Sequence, residues 1–312
     1  MIRSNKNVLI SIGMPIYNGS KFLHQAIKSV LNQSYSNLEL IISDDISSDT
    51  STNICMTFAK NDKRVRFFLQ KKRLGSIANF NFVLSKAKGE YFMWTAQDDI
   101  RAPNALKKLS QLLTNYPSAI IAVSNFNNLF HDQSYSVYKN ELYDNSCTHL
   151  DSLVHFVDSG NLSYFYGLWR TNILKKTSGY HVDSRPIFKS SDFLTIFKAL
   201  LMGKFVYTDG ILFYKRDTGL FSQQFTILKK KHWSPEVTRR IKRYLLFPIF
   251  YCYDFSLASY YLIKSNFSII EKLIVEKSLF IRFMKNNIGF IFNVSRGAST
   301  FAVRMLNKIT QS

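Results

Sequence analysis

Two adjacent carboxylates, Asp98 and Asp99, close the stretch that begins with four consecutive apolar residues, Tyr91 to Trp94, in GEYFMWTAQDDIRAP. A buried strand that ends in paired acids puts negative charge at the carboxyl edge of a sheet, where open α/β sheets bind ligands. The two acids repel each other, and only Arg101 is near in sequence to offset them. A divalent cation would do so: Mg²⁺ takes one or two carboxylates and completes its shell with substrate phosphate oxygens. The same acids would also serve as a polar loop before a helix at Asn104, and the local residues leave both readings open. A second acid pair, Asp44 and Asp45, follows the apolar run Leu38–Ile42. A third acid, Asp192, opens a helical pattern after Ser191, a position that capping and the helix dipole also favour.

The elements that must position these acids follow from the apolar spacing. Val8–Ile12 is bounded by Gly13 and Pro15 and reads as a strand. Ser20 is a candidate cap for a helix carrying Leu23, Ala26, Ile27, Val30 and Leu31. Ser47, Ser48 and Asp49 offer caps for a helix through Ala59; Val65–Leu69 is a strand; Ile77 to Ala87 is helical. Pro103 suits the start of a helix through Tyr116, and Ala119–Val123 is another strand. This alternation predicts an α/β chain with a mostly parallel sheet flanked by helices. Ser124 to Ser163 lacks clear periodicity and is expected to be a long loop. Asp192–Met202 is a helix, and Lys204–Thr208 and Ile211–Lys215 are two short strands. From Ser234 the chain turns helical, aromatic and basic. Tyr244–Ile263 is as long as a membrane span, but Asp254 and Pro248 interrupt it. A packed helical region or an interfacial amphipathic one is expected instead.

Composition narrows the classes. With 312 residues, 46% hydrophobic and 15% aromatic, the chain is long enough for a sizeable core and too apolar for disorder. Cys55, Cys147 and Cys252 form no CxxC pair, so neither a zinc site nor a disulfide framework is indicated, and a reducing, cytoplasmic setting fits. The opening MIRSNKNVLISIGMPIYN is broken by Pro15 and Asn18 and reads as a first strand rather than a secretion signal. The net charge of +20 is uneven: from Phe221 onward fifteen Lys/Arg stand against four Asp/Glu. Such a surface suits phosphorylated ligands or anionic membranes. Nucleic acid is not expected, because the basic residues form no recognised motif.

Taken together, SIGMPIYNGSKFLHQAIKSVLNQSYSNLELIISDD and LGSIANFNFVLSKAKGEYFMWTAQDD resemble, in order and spacing, the family 2 glycosyltransferases, inverting enzymes of GT-A fold. The resemblance runs from Val8 to Leu113 and returns at YGLWRTNILKK and SSDFLTIFKALLMGKFVYTDGILFYKR. It implies a GT-A catalytic domain over 1–220, with a nucleotide-binding half over 1–123 and an acceptor half over 124–220. A C-terminal helical region covers 221–312.

The resemblance also assigns roles. Asp45 matches the acid that hydrogen-bonds the base, and Pro15 and Tyr17 match the turn that lines the base pocket. Gly75 and Asn79 match the segment that approaches the nucleotide. Asp98 matches the last acid of the family's DxD motif and Asp99 the acid after it; Ala96 replaces the first. These two acids would hold Mg²⁺ or Mn²⁺ on the donor's diphosphate. Asp192 matches the catalytic base, with Ser191 where an acid usually precedes it. Trp169 and Arg170 lie in a stretch matching the acceptor side. The QxxRW motif of processive synthases is absent, since Phe225-Thr226 follows Gln223-Gln224 and Trp233 has no such frame. A single transfer is therefore expected, from a UDP- or dTDP-sugar to a glycan or lipid-linked acceptor in cell-surface polysaccharide assembly. The basic C-terminal region would sit peripherally at the inner face of the cell membrane. Two other readings stand beside this one. A catalytically inactive nucleotide-sugar-binding protein suits Ala96 and Ser191. A nucleotidyltransferase would need a Gly-rich basic loop after the first strand, where Met14-Pro15-Ile16-Tyr17-Asn18 stands instead.

Overall fold

Strand β1 (Ile10–Ile16) is buried along its whole length and pairs in parallel with β2 (Leu38–Asp44) on one side and β4 (Tyr91–Trp94) on the other. In this computed structural model the described residues are 7–129, 135–138, 144–177, 179, 191–216 and 247–284. Ile10, Ile12, Met14 and Ile16 recur at every second position and so share one face of the sheet. They pack with Leu23, Ala26, Ile27 and Val30 of α1 (Ser20–Leu31) and with Leu106, Leu109 and Leu113 of α4 (Ala105–Asn115). Each fully buried Ile, Leu, Val or Met side chain among them contributes about 1.5–3 kcal/mol of transfer free energy. On the neighbouring β4, Trp94 stacks on Phe165 with ring centroids 4.3 Å apart and planes at 5°.

Among the described residues the sheet has nine strands, in the order β3-β2-β1-β4-β8-β6-β9-β5, with β7 paired to β6. The remaining strands are β3 (Val65–Leu69), β5 (Ile100–Arg101), β6 (Ala119–Leu129), β7 (Tyr135–Tyr138), β8 (Leu168–Arg170) and β9 (Lys204–Arg216). The helices α2 (Ser51–Asn61), α3 (Ser76–Ser85), α5 (His149–Ser159), α6 (Thr171–Lys176) and α7 (Ser191–Leu200) lie between them. The α/β expectation holds, although β8 is antiparallel to both β4 and β6, and β5 is antiparallel to β9.

Three local expectations are corrected. The segment after Val123 is not a loop: β6 runs on to Leu129, and β7, α5 and a 3₁₀ turn (Leu162–Tyr166) follow. Its polar residues hid the strand because they are satisfied across the sheet. Asn125 donates to the Asp209 carbonyl at 2.7 Å and accepts from the Tyr207 hydroxyl at 2.8 Å. The two short strands are one, β9. Thr208 sits opposite Ser124 and Ile211 opposite Asn125, so Asp209-Gly210 bulges out of the ladder instead of turning the chain. Ser20 does not cap α1. Gly19 holds the N-cap position, and the free amides of Gly19 and Ser20 donate to Ser51 Oγ at 2.9 Å and Asp49 Oδ2 at 3.0 Å.

By internal contacts the chain divides into one unit of Met1–His155 with Gly160–Lys230, and a second of Phe156–Ser159 with Lys231–Ser312. The second unit contains α8 (Phe247–Ile263) and a helix over 269–284, here α9. Ser268 and Glu271 form a reciprocal capping box at the start of α9, with bonds of 2.7 and 3.3 Å. Ala258, Leu262, Val275 and Leu279 are buried within this unit, and Ser259 donates to Glu276 at 2.8 Å. Among the described residues no helix is long and apolar enough to cross a membrane. Gln223, Gln224 and Trp233 lie outside the described residues.

Candidate functional site

The C-terminal ends of β1, β2 and β4 lie side by side, which brings the turn Pro15–Asn18 between the two acid pairs. The Asp45 amide donates to the Ile16 carbonyl at 3.0 Å. On the other side, the Tyr17 amide donates to Gln97 Oε1 at 2.8 Å, and Gln97 Nε2 donates to the Tyr17 carbonyl at 3.1 Å. The turn is thus held from both sides. Gly19 is required for this: a Cβ there would lie 2.4 Å from Gln97 Cδ.

Asp44 and Asp45 divide the work of their pair. Asp44 is structural. It accepts from the Ser47 amide and hydroxyl at 2.9 and 2.6 Å and from the Thr52 hydroxyl at 2.6 Å. The Asp45 carboxylate accepts from the amides of Leu74 and Gly75 at 2.6 and 3.0 Å and pairs with Arg73 Nε at 3.3 Å. Arg73 is not simply solvated: its guanidinium also lies over the Tyr17 ring, 3.6 Å from the centroid. Tyr17, at 42% exposure, remains open enough to stack on a planar ligand.

Gly75 has φ +83 and ψ 162, a region almost reserved for glycine, which lets its amide reach Asp45 as α3 begins. Asn79, one turn on, is buried. It donates to the Ser43 carbonyl at 3.0 Å and accepts from the Ser43 hydroxyl. It braces β2 from within, and Pro15 sits opposite Ser43 in the ladder.

Asp98 and Asp99 follow β4 and meet the end of β9. The Arg216 amide donates to Asp99 Oδ1 at 3.0 Å, its Nε to the Asp98 carbonyl at 3.1 Å and its Nη2 to Gln25 at 3.1 Å. Burial and then the neighbouring Asp98 charge push the Asp99 carboxyl up to about 7; Arg101 and Lys215 oppose this. Burial also raises Asp98, against the pull of Arg216 and Lys215. Arg101 is itself buried, donates to the Trp94 carbonyl at 2.9 Å and lies 4.2 Å from the Phe213 ring centroid.

Asp192 lies in the first turn of α7. Tyr166 links it to the other acids: burial and the charges of Asp99, Asp192 and Asp98 push the Tyr166 hydroxyl well above the usual tyrosine range. Three carboxylates from two separate segments, the Asp98-Asp99 loop and the start of α7, therefore act on one phenol.

Trp169 and Arg170 are placed elsewhere. Trp169 is fully buried in β8 and donates its indole N–H to the Phe165 carbonyl at 3.0 Å. Arg170 sits opposite Tyr91, at the start of β4 and so at the far end from Asp98. Its guanidinium donates to the carbonyls of Ala119 and Leu113, both at 2.7 Å. These are core and helix-end roles. Within the stretch expected on the acceptor side, Tyr166 is the residue whose hydroxyl is raised by burial and by the charges of Asp99, Asp192 and Asp98. Gln97, Arg216 and the pairing of Arg73 were missed. Arg216 is 117 positions from Asp99, and no local pattern announces it.

Comparison with known proteins gives the class. The family model described as Glycosyl transferase family 2 matches residues 11–187, more than half of the chain, and the chain belongs to that family. An uncharacterized glycosyltransferase of Haemophilus influenzae is 44% identical over 109 residues, 35% of this chain and 44% of that protein. A GalNAc(5)-diNAcBac-PP-undecaprenol beta-1,3-glucosyltransferase of Campylobacter jejuni is 37% identical over 103 residues, 33% of each. These matches span less than half the length of either relative. The fold is that of S. aureus TarS 1-349, solved in complex with UDP-GlcNAc (TM-score 0.63, 16% identity, 88% of this chain and 72% of that one). It is also like that of the mannosyltransferase PcManGT of Pyrobaculum calidifontis, solved with GDP-Man and Mn2+ (TM-score 0.52, 12% identity, 92% and 88%). The GT-A-type fold expected above is the fold found.

Proposed function

We propose that this protein transfers a single sugar, with inversion, from a UDP- or dTDP-sugar to a glycan or lipid-linked acceptor in cell-surface polysaccharide assembly. The observation that supports this is the strand edge at which Tyr17 and the Asp45–Arg73 pair stand beside the Asp98-Asp99 loop, tied to the Tyr17 backbone through Gln97. Tyr17 stacks on the base, and Asp45, with Arg73, receives its polar edge. A carboxylate suits the imide N–H of uracil or thymine. Pro15, Gly75 and Asn79 shape this pocket through the backbone.

A divalent cation fits the acids present. Among the described residues no three His, Cys, Asp or Glu side chains cluster as a complete cage. Mg²⁺ or Mn²⁺ needs only the carboxylates of Asp98 and Asp99 when a diphosphate completes its shell. Burial and the neighbouring Asp98 charge raise the Asp99 carboxyl, and a bound cation would offset that charge. When bound, the ion offsets the charge that develops on the departing nucleoside diphosphate.

Asp192 takes the proton of the acceptor hydroxyl as that oxygen attacks the anomeric carbon. Support for a lipid-linked acceptor comes from the undecaprenol-linked name of the Campylobacter relative and from the excess basic charge after Phe221. The latter would hold the enzyme at the cytoplasmic face of an anionic membrane. A thermal-shift panel of nucleotide sugars with and without Mn²⁺ tests the donor. Stabilisation by one uridine or thymidine diphosphate sugar, larger with the metal, is the expected result. No shift with any of them would overturn the proposal.

A further inference from the structure

Helix α9 turns an apolar face outward. Ile269, Ile270, Leu273 and Phe280 are 72%, 68%, 63% and 52% exposed, and Ile281 is exposed beside them. At 3.6 residues per turn they fall within about 120° of the helix circumference and form one stripe about four turns long. The opposite face is already satisfied: Val275 and Leu279 are buried, and Arg282 donates to the Val157 carbonyl at 3.2 Å. Among the described residues, the core of this unit therefore does not account for the outward stripe. A single cation, Lys277, lies within the stripe and is exposed.

We propose that this face of α9 lies in the interface of an anionic membrane. The proposal rests on the membrane contact put forward above and names the element that makes it. The chemistry favours lipid over protein on two grounds. The stripe is aliphatic and aromatic, with one long cationic side chain that can reach up to headgroups while its stem stays among the acyl chains. The segment from Phe221 onward carries fifteen Lys/Arg against four Asp/Glu, which anionic headgroups attract. A second copy of the chain is disfavoured by the same charges. A two-fold contact through this stripe would bring Lys277 toward its own mate.

The test uses the full chain in co-sedimentation with vesicles of phosphatidylglycerol and phosphatidylcholine, and with phosphatidylcholine alone. The wild type should bind the anionic vesicles. Ile270→Glu with Leu273→Glu should weaken that binding by about tenfold or more, since it removes two anchors and adds two charges of the wrong sign. Both positions face water, so melting without vesicles should not change. Lys277→Glu should weaken binding to the anionic vesicles only. If the double variant binds as well as wild type, the assignment to α9 fails while the membrane contact stands. If wild type does not bind, both fail. A clear drop in melting temperature for the double variant would show the face packed against protein and overturn the proposal. Light scattering that gives a wild-type dimer and a variant monomer would overturn it in favour of a second copy.

Discussion

Gln97 and Tyr17 are joined as residues of adjacent strands are, with the side-chain amide of Gln97 in place of a second backbone. It accepts from the Tyr17 amide at 2.8 Å and donates to the Tyr17 carbonyl at 3.1 Å, across 80 positions of sequence. The loop that carries Asp98 and Asp99 is thereby fixed to the turn that carries the exposed aromatic ring. Replacing Gln97 with Ala removes both bonds, each worth about 1 kcal/mol net. Calorimetry with UDP or dTDP should show roughly tenfold weaker binding, and Gln97→Glu, which keeps only the acceptor, should fall between. Unchanged affinity would mean that the turn holds its shape alone.

The two acids of that loop should control metal dependence. Asp98→Ala and Asp99→Ala should each abolish the Mn²⁺-dependent part of nucleotide binding. Any metal-independent part, held by the Tyr17–Asp45 side, should remain. Equal binding by wild type and variants, with and without Mn²⁺, would remove these residues from a metal role.

Asp99 also sets a pH dependence of stability. Its carboxyl is raised from 3.8 to about 7 in the folded state, so between these values the folded protein holds a proton that the unfolded chain releases. Stability from this group is therefore greatest at low pH and is lost as pH rises toward 7. The loss is on the order of a few kcal/mol. In metal-free buffer Asp99→Asn should melt above wild type at pH 8, and the difference should shrink toward pH 4. A constant difference across that range would contradict the assignment.

Asp192→Asn should leave donor binding intact and cut transfer by about 10²- to 10⁴-fold, the usual worth of a positioned general base. Binding comes from calorimetry and transfer from release of the nucleoside diphosphate with acceptor present. A parallel loss of binding would place Asp192 in the donor site instead.

Gly75→Ala tests the backbone beneath the base pocket. A Cβ there meets no atom within 4 Å, so the cost is conformational alone. It should be about 1–3 kcal/mol, the strain of a non-glycine residue at φ +83. Chemical denaturation measures it. Nucleotide affinity should fall as well, because the Gly75 amide helps to hold Asp45.

Much of the nucleotide half was legible in sequence, because its strands are short apolar runs ending in acids and its helices carry regular stripes. Leu38–Ile42 and Tyr91–Trp94 needed no tertiary information. What lay hidden was polar residues inside strands and partners far apart in sequence. Asn125 reads as loop until Tyr207 and the Asp209 carbonyl are beside it. Trp169 sits two residues past a glycine, in a segment that the family pattern places near the acceptor. Only the pairing of β8 with β4 reveals that its ring faces the core. Arg216 became visible only when β9 proved continuous.

That continuity has a consequence for how the family can vary here. From the pair Ala119–Lys204 to the pair Leu129–Arg216, β6 advances ten residues and β9 twelve. The surplus is even. Because side chains alternate sides with a period of two, an even surplus returns the strand to its original phase, and an odd one would exchange its faces. Loss or gain of a single residue at Asp209-Gly210 would swing Phe213 away from Arg101 and uncouple Arg216 from the acids, whereas a change of two would leave both in place. Length variation in this strand is thus governed by parity rather than by size.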